Sequence, residues 1–223
     1  MSIFIIKIIA CITMICDHIR YAIPITNNNI IGFFGRMSFP LFAFSISEGY
    51  LHTKNLNKYF NRLLVLALIS EIPFVLFRTI VGDYLMLNIC FTFLLGLSCI
   101  VIYENIQEKY LSIPIIILIS YIGYLIKVDY GWYGIITVFL FYIFKNKKIY
   151  IWISFFLLNI IYFYTKDYFK NIDLQIILSF IGIMSSLIII TLYNGKKGKN
   201  LKYFFYCFYP IHMLIFYLIN KFI

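Results

Sequence analysis

Long apolar stretches recur along the whole chain, and short polar connections separate them. Each stretch has about 17 to 22 residues, which is enough for an α-helix to cross a bilayer core of about 30 Å. A transmembrane β-barrel would instead show alternating segments of about 10 residues. The continuous runs therefore predict an all-α, polytopic transmembrane helical bundle of about nine helices. The predicted spans are 3–23, 30–51, 62–81, 85–103, 111–127, 131–145, 149–165, 173–193 and 203–221.

The chain is expected to form one domain over residues 1–223. No connection is long enough for a separate soluble domain, and no internal repeat is evident. The first apolar run contains Asp17, His18 and Arg20 and lacks a small-residue cleavage site. We therefore expect it to be a retained helix rather than a signal peptide.

Composition supports a membrane protein and narrows its partners. Hydrophobic residues make up 63% of the chain and charged residues 13%, whereas soluble domains carry about 25% charged residues. The net charge of +10 fits loops that face anionic lipid, and the tyrosines are too dispersed for a nucleic-acid site. We expect a lipid bilayer as partner and no nucleic acid. The five cysteines lie in apolar segments without metal-ligand spacing, so neither a disulfide framework nor a metal site is expected.

Lysine and arginine predict the orientation, because cytoplasmic loops carry an excess of both. If the N-terminus is cytoplasmic, the inner connections hold eleven of these residues and the outer side holds five. The bias therefore predicts a cytoplasmic N-terminus in the cytoplasmic membrane. The inner residues are Lys54, Lys58, Arg62, Lys109, Lys145, Lys147, Lys148, Lys196, Lys197, Lys199 and Lys202, and the outer residues are Arg78, Lys127, Lys166, Lys170 and Lys221.

Several ionisable residues lie inside the predicted spans. A charge near the bilayer centre costs about 2.5–3.5 kcal/mol on insertion scales, so such residues usually pair or take part in function. We interpret them as a polar reaction centre within the bundle. The candidate catalytic residues are Asp17, His18, Arg36, Glu48, Glu71 and His212.

Asp17 and His18 are at the centre of this hypothesis. Adjacent side chains on a helix diverge by about 100°, so these two cannot face each other. Arg20 shares a helix face with Asp17 and Arg36 enters at similar depth, so either arginine could hold the carboxylate. His18 suits a general base because histidine titrates near neutrality. His212 remains a second candidate for the base, and a structural ion pair remains an alternative.

A second group of candidates lies toward the predicted cytoplasmic side. Lys54, Lys58 and Arg62 follow one another at near-helical spacing and could hold the phosphates of a nucleotide-like cofactor, although ordinary positive-inside loops also explain them. Asn88 and Thr92 are four residues apart and are equally suited to hydrogen bonds across helices. Glu48 and His52 share a face, where a capping role is also open. The candidate cofactor-binding residues are His52, Lys54, Lys58, Arg62 and Asn88.

Prolines mark expected irregularities in three spans. Pro40 is expected to interrupt the second helix, Pro73 to break the third beside Glu71, and Pro210 to kink the last. The segment DYGWYG at 129–134 is interpreted as a turn within an interfacial aromatic belt.

The chain resembles the TraX family over nearly its whole length. The resemblance rests on KIIACITMICDHI at 7–19, GRMSFPLFAFSISEGYLHTKN at 35–55, KYFNRLL at 58–64, LISEIPF at 68–74, NICFTFLLGL at 88–97, DYGWYG at 129–134 and YPIHMLI at 209–215. One departure is Arg20, where family members commonly have glycine. The motif residues carried over are Asp17, His18, Arg36, Pro40, Glu48, His52, Arg62, Glu71, Pro73, Asn88, Thr92, Asp129 and His212.

The resemblance implies a bacterial membrane acetyltransferase that uses acetyl-coenzyme A as acyl donor, and it favours an N-acetyltransferase. Its F-pilus members acetylate the pilin N-terminus, and the family is similar to larger membrane acyltransferases that modify cell-surface sugars. The expected acceptor is an amine or hydroxyl of a pilin-like peptide or an envelope glycan at the outer half of the membrane. His18 would deprotonate this acceptor, with Asp17 orienting the base. A small transporter or flippase and a non-catalytic pilus assembly factor are the alternatives.

Overall fold

The protein is a bundle of helices in a computed structural model that describes residues 1–23, 29–82 and 85–222. Within these ranges the regular structure is helical, apart from an isolated parallel bridge between Leu87 and Val128. The helices are α1 (Ile3–Ala22), α2 (Asn29–Gly35), α3 (Ser38–His52), α4 (Leu56–Val81), α5 (Ile89–Asn105), α6 (Lys109–Leu125), α7 (Gly131–Ile143), α8 (Lys148–Thr165), α9 (Leu174–Thr191) and α10 (Lys202–Phe222). The predicted all-α bundle is confirmed, because each of the nine predicted spans corresponds to helix and the second is divided into α2 and α3.

The second span divides earlier than its proline suggests. The break lies at Arg36 and Met37, and Pro40 is the third residue of α3. In the first turn of a helix the missing N–H of proline would have no intrahelical partner in any case, so Pro40 fits at the start of a helix. Pro73 and Pro210 lie within α4 and α10, which continue through them as helix. The expected break beside Glu71 is therefore wrong.

The helices have the lengths and surfaces of a multi-pass membrane protein. Within the described residues, five segments are long and apolar enough to cross a membrane by length and composition: 29–52, α4, α8, α9 and α10. α5, α6 and α7 are shorter apolar helices. Large aliphatic side chains cover the outside of the bundle, including Ile72 of α4, Ile117 of α6 and Ile153 of α8. Such outward-facing apolar surface suits contact with lipid.

The connections predicted to share one side of the membrane meet at one end of the bundle. The backbone N–H groups of Ile3 and Phe4 donate to the carbonyls of Lys196 and Lys197, and Lys148 Nζ donates to a carbonyl at the end of α9. At the opposite end, Asn220 of α10 donates its side-chain amide to the carbonyl of the last residue of α1. The helices α1, α8 and α10 therefore begin at the end of the bundle where α9 finishes, as the predicted spans require.

Small residues allow several of these helices to approach closely. A β-carbon on Gly35 would lie 2.7 Å from the Cα of Asp17, and one on Gly96 would lie 2.7 Å from Val138 Cβ. Close backbone approach of this kind is typical of helix packing in membranes. It brings α2 against α1 and α5 against α7, and it sets the position of the residue that follows Gly35.

Candidate active site

His18 and His212 form a hydrogen-bonded pair that joins the first helix to the last. His18 Nδ1 lies 2.8 Å from His212 Nε2, and the two rings stack with their centroids 4.9 Å apart. His212 Nδ1 lies 2.8 Å from the carbonyl oxygen of Phe208, one turn earlier on α10. Aromatic rings pack around the pair, with Phe208 stacked on His212 and Phe77 edge-on to His18.

The carbonyl of Phe208 determines which nitrogens carry protons. A carbonyl oxygen can only accept, so His212 Nδ1 must be its donor. In the neutral ring His212 Nε2 is then an acceptor, and His18 Nδ1 must donate to it. Neutral His18 is left with a lone pair on Nε2. This arrangement gives His18 a free basic nitrogen and makes His212, rather than Asp17, its hydrogen-bond partner.

Asp17 lies beside Arg36 and immediately precedes His18 in α1. Arg36 Nη1 is 3.8 Å from Asp17 Oδ1, and Arg36 Nη2 donates to the Tyr21 hydroxyl at 3.2 Å. Gly35 permits this contact because its bare backbone packs on the backbone of Asp17. The ion pair is too long for a hydrogen bond. Asp17 Oδ1 is buried and has no hydrogen-bond partner among the described residues.

Arg20 takes a different direction from Arg36. Its guanidinium packs against Gly32 of α2 and lies 5.0 Å from the centre of the Tyr21 ring. Of the two arginines that the sequence allowed for Asp17, Arg36 is therefore the one at ion-pair distance.

Two cavities meet at His18. A narrow cavity of about 160 Å³ runs past Lys7, Tyr206 and Tyr209. A wide cavity of about 1040 Å³ lies on the other side and extends to the turns after α6 and α8. The residues that line both cavities are Asp17, His18, Asp129, Tyr130 and Met213.

The turn between α6 and α7 holds Asp129 at this junction. The backbone of Leu87 accepts from the Asp129 N–H at 2.8 Å and donates to the Lys127 carbonyl at 3.0 Å. The Thr92 hydroxyl donates to the Asp129 carbonyl, and Asp129 Oδ1 accepts from the N–H of Tyr130 at 3.1 Å. Tyr130 has a left-handed backbone with φ of 62°. The turn is thus fixed by both neighbouring segments.

The environment of Asp129 disfavours its charged form. Burial raises the pKa of the Asp129 carboxyl from its ordinary value of 3.8 to about 6, while Arg78 and the N–H of Tyr130 oppose this shift. The loss of hydration outweighs these favourable contacts. Near neutral pH a larger fraction of Asp129 is therefore protonated than of an exposed aspartate.

Glu71 and Asn88 form a separate buried network between α4 and α5. Glu71 Oε2 accepts from Asn88 Nδ2 at 2.6 Å and from its backbone N–H at 3.1 Å. Asn88 Nδ2 also donates to the Ala67 carbonyl, and Asn88 Oδ1 caps α5 by accepting from the N–H of Cys90. A carboxylate at a helix N-terminus is favourable. These bonds anchor α5 to α4, and neither side chain is in the lining of the two cavities described here.

The other predicted residues lie toward the end of the bundle that holds the N-terminus. His52 Nε2 is 3.3 Å from Glu48 Oε2 and 3.2 Å from the Tyr193 hydroxyl. Arg62 Nε donates to the Tyr206 hydroxyl at 3.2 Å, which brings Arg62 to the narrow cavity. Lys54 and Lys58 are exposed one to two turns before it. The structure therefore separates Glu48 and His52 from His18 and associates Arg62 with the cavity.

Among the lining residues outside the candidate catalytic and cofactor-binding residues are Lys7, Tyr209 and Asp129. Lys7 lies at the narrow cavity with its Nζ 5.6 Å from the centre of the Phe205 ring. Tyr209 is buried, and its hydroxyl has a loose contact with the Ile89 N–H but no partner at hydrogen-bond geometry within the described residues. Asp129 was carried over as a motif residue but was interpreted as part of an interfacial turn. For Lys7 and Asp129 the available sequence signal was a charged residue in otherwise apolar surroundings.

Comparison with known proteins agrees with the resemblance seen in the sequence. A family model described as "TraX protein" matches residues 2–220. The chain is also 28% identical over 232 aligned positions to a protein of Dichelobacter nodosus named "Probable fimbrial assembly protein FimC, serogroup H1", and the match covers 96% of this chain and 93% of that protein. No solved structure matches.

Proposed function

This chain belongs to the TraX family, and we propose that it is a membrane-embedded acetyltransferase that uses acetyl-coenzyme A. The acceptor would be an amine or a hydroxyl that reaches the outer half of the membrane. The observation that carries the proposal is the hydrogen-bonded chain from the Phe208 carbonyl through His212 to His18 at the junction of two cavities. A transfer reaction needs a base that both a donor and an acceptor can reach.

The narrow cavity suits the thioester end of the donor, because its volume is about 160 Å³. Its lining is mostly apolar, and it runs from Lys7 and Tyr206 to His18. Arg62 lies beside Tyr206, so two cations flank one end and could bind phosphates. Asp17 Oδ1 and the Tyr209 hydroxyl line the cavity without hydrogen-bond partners among the described residues. Buried polar atoms without partners are rare in proteins, and a ligand would account for both.

The side chains provide positioning and proton transfer. Acetyl-coenzyme A, when bound, would supply a thioester that an amine or hydroxyl can attack. His18 Nε2 would accept the proton of the attacking group. His212 Nε2 would accept a hydrogen bond from His18 Nδ1–H throughout, which keeps the ring in the required tautomer and stabilises its protonated form. The Tyr209 hydroxyl would donate a hydrogen bond to oxygen that becomes negative during the transfer.

The two histidines provide a direct test. His18→Gln should reduce acetyl transfer by about 10²–10⁴-fold, because an amide cannot act as a base. His212→Gln should retain part of the activity since its amide oxygen can accept from His18 Nδ1–H, whereas His212→Leu should retain less. Transfer from radiolabelled acetyl-coenzyme A to envelope extract would be measured with the purified protein in detergent, in which both faces of the bundle are accessible.

A matched replacement shows whether glutamine itself is harmful. Tyr164→Gln changes an exposed ring near the end of α8 and should leave transfer unchanged. Folding of each variant would be checked by gel filtration in detergent. Full activity of folded His18→Gln protein would exclude His18 as the base.

A role in pilus assembly without catalysis is the second candidate, and the name of the Dichelobacter nodosus relative favours it. Such a protein would bind pilin in a fixed ratio and would not bind acetyl-coenzyme A. Calorimetric titration of the purified chain with acetyl-coenzyme A distinguishes the two candidates. Saturable binding that is tighter than for free coenzyme A supports the enzyme, and absence of binding supports the assembly role.

A further inference from the structure

The wide cavity differs in chemistry from the narrow one. It extends from His18 to the turns that follow α6 and α8, and its volume of about 1040 Å³ compares with about 160 Å³ for the narrow cavity. A cavity of this size can hold a ligand that contains several rings. Seven aromatic residues in its lining carry a polar group, namely Tyr21, Tyr121, Tyr124, Tyr130, Trp132, Tyr162 and Tyr168.

The charge of this lining favours an anion. Its described residues include the basic side chains Arg36, Arg78, Lys127 and Lys166, but only the carboxylates Asp17 and Asp129. Asp17 already lies next to Arg36. A positive surplus attracts phosphate or carboxylate groups and repels ammonium. An α-amino group, with a pKa of about 7.7–8.0, arrives largely as ammonium at neutral pH, so a peptide N-terminus is disfavoured.

The aromatic side chains indicate what carries the anionic group. The C–H faces of a sugar ring pack on the negative face of an aromatic ring, while the phenol and indole groups bond to its hydroxyls. Tyr121 and Tyr124 present two roughly parallel rings on α6, with centroids 6.5 Å apart and an interplanar angle of 26°. Lys166 Nζ lies 5.9 Å from the centre of the Tyr162 ring. The lining therefore offers both ring faces and a cation beside a ring.

We propose that the wide cavity binds a saccharide bearing phosphate or carboxylate groups, and that a hydroxyl of this saccharide is the acetyl acceptor. This rests on the acetyltransferase function proposed above. As the hydroxyl oxygen forms its bond to the acetyl carbonyl carbon, the hydroxyl proton moves to His18 Nε2. The carbon–sulfur bond breaks, and His18 returns the proton to the leaving thiolate. The products are an O-acetyl saccharide and free coenzyme A.

Binding can be measured without acetyl-coenzyme A, because the chain has two tryptophans and Trp132 lines the wide cavity. In the Trp152→Phe variant, Trp132 is the sole tryptophan and its fluorescence reports on this site. The probes are phosphorylated maltotetraose, tetragalacturonate, neutral maltotetraose, inorganic phosphate and a peptide with a free N-terminal amine. The phosphorylated sugar and the uronate identify which anionic group is preferred.

We expect at least one anionic saccharide to bind about ten-fold or more tightly than neutral maltotetraose and inorganic phosphate. Lys166→Gln should weaken this binding about ten-fold, since it removes one charge-assisted contact. Lys170→Gln is the matched control in the same turn, because Lys170 pairs with Asp167 and is not in the cavity lining. Equal binding of neutral and anionic sugars, or equal effects of the two lysine variants, would overturn the proposal.

Acetylation assays with the same probes distinguish the saccharide acceptor from the acetyltransferase function on which it rests. If acetyl is transferred to the anionic saccharide and His18→Gln abolishes this transfer, both the saccharide acceptor and the acetyltransferase function are supported. His18-dependent acetylation of the peptide amine with no saccharide acetylation overturns the saccharide acceptor and leaves the acetyltransferase standing. If the saccharide binds but no acetyl is transferred to any probe or to envelope extract, both the acceptor role and the acetyltransferase function fail.

Discussion

At the scale of single residues, carboxylates inside the bundle lie close to hydrogen-bond donors or to cationic side chains. Glu71 accepts two hydrogen bonds from Asn88, Glu48 lies at ion-pair distance from His52, and Asp17 faces Arg36. Such partners offset part of the cost of a polar group in an apolar bundle. Asp129 differs because burial outweighs its favourable contacts and raises its pKa.

Asp129→Asn should stabilise the protein in a pH-dependent way. The raised pKa means that the folded state holds the proton up to about pH 6, whereas the unfolded chain loses it near 3.8. Wild-type stability therefore falls as pH rises between these values, and the deficit persists above them. The difference in Tm between variant and wild type should be smallest near about pH 4 and reach a plateau above about pH 7.

Thermal unfolding in detergent, followed by tryptophan fluorescence, measures this difference. Asp167→Asn provides the control, because Asp167 is exposed and pairs with Lys170, and its substitution should not reproduce the plateau. A difference for Asp129→Asn that is constant with pH would show that the carboxyl titrates normally.

At the scale of helices, close packing at a glycine positions the polar residues. Gly35 ends α2 with its backbone against Asp17 of α1, and the break that follows directs Arg36 toward the carboxylate. The start of α5 is fixed in another way, through the Asn88 cap and the Glu71 carboxylate of α4. The positions of the polar residues therefore depend more on backbone packing and buried hydrogen bonds than on the apolar pattern.

Gly35→Ala should destabilise the bundle and weaken the ion pair. The new methyl group would lie 2.7–2.8 Å from backbone atoms of Asp17, so α1 and α2 must separate. Overpacking of this kind costs about 1–3 kcal/mol. Gly49→Ala is the comparison, because its methyl group meets the end of the Tyr59 side chain, which can move. A Tm loss that is equal in the two variants would argue against a special role for the α1–α2 contact.

At the scale of the whole molecule, the two cavities reach His18 from different directions. The narrow cavity begins near Lys7, toward the end where the N-terminus meets Lys196 and Lys197. The wide cavity extends to Lys127 and Lys166 in turns at the other end. A donor from one side and an acceptor from the other can thus share one base, which a simple binding pocket would not require.

The predicted orientation places these ends on defined sides of the membrane. Single replacements Lys199→Cys and Lys170→Cys put a thiol in an inner and an outer connection, respectively. In intact cells a membrane-impermeant maleimide should label Lys170→Cys and not Lys199→Cys, while permeabilised cells should show both. The native chain measures background labelling, because it already contains the exposed Cys207 on α10. The reverse labelling pattern would invert the proposed directions of donor and acceptor.

The sequence by itself determined the helical segments and their alternation. Apolar run length is a local property, so it located the spans, and the lysine and arginine bias grouped connections that the structure brings to one end. It also selected His18, Asp17 and Arg36 as unusual, because a charged residue inside an apolar run is visible without any contact. Lys7 and Asp129 carried the same signal but lay near predicted span ends, where charges are common.

Only the tertiary structure decided which of these residues meet. His18 and His212 are 194 residues apart in the chain, and no local pattern specifies that they share a hydrogen bond. The choice of Arg36 over Arg20 depends on the bare backbone of Gly35, and the two cavities exist only between packed helices. In a membrane, apolar faces are as well suited to lipid as to one another. Helix partners are therefore set by shape and buried hydrogen bonds, which become defined only when the whole bundle is assembled.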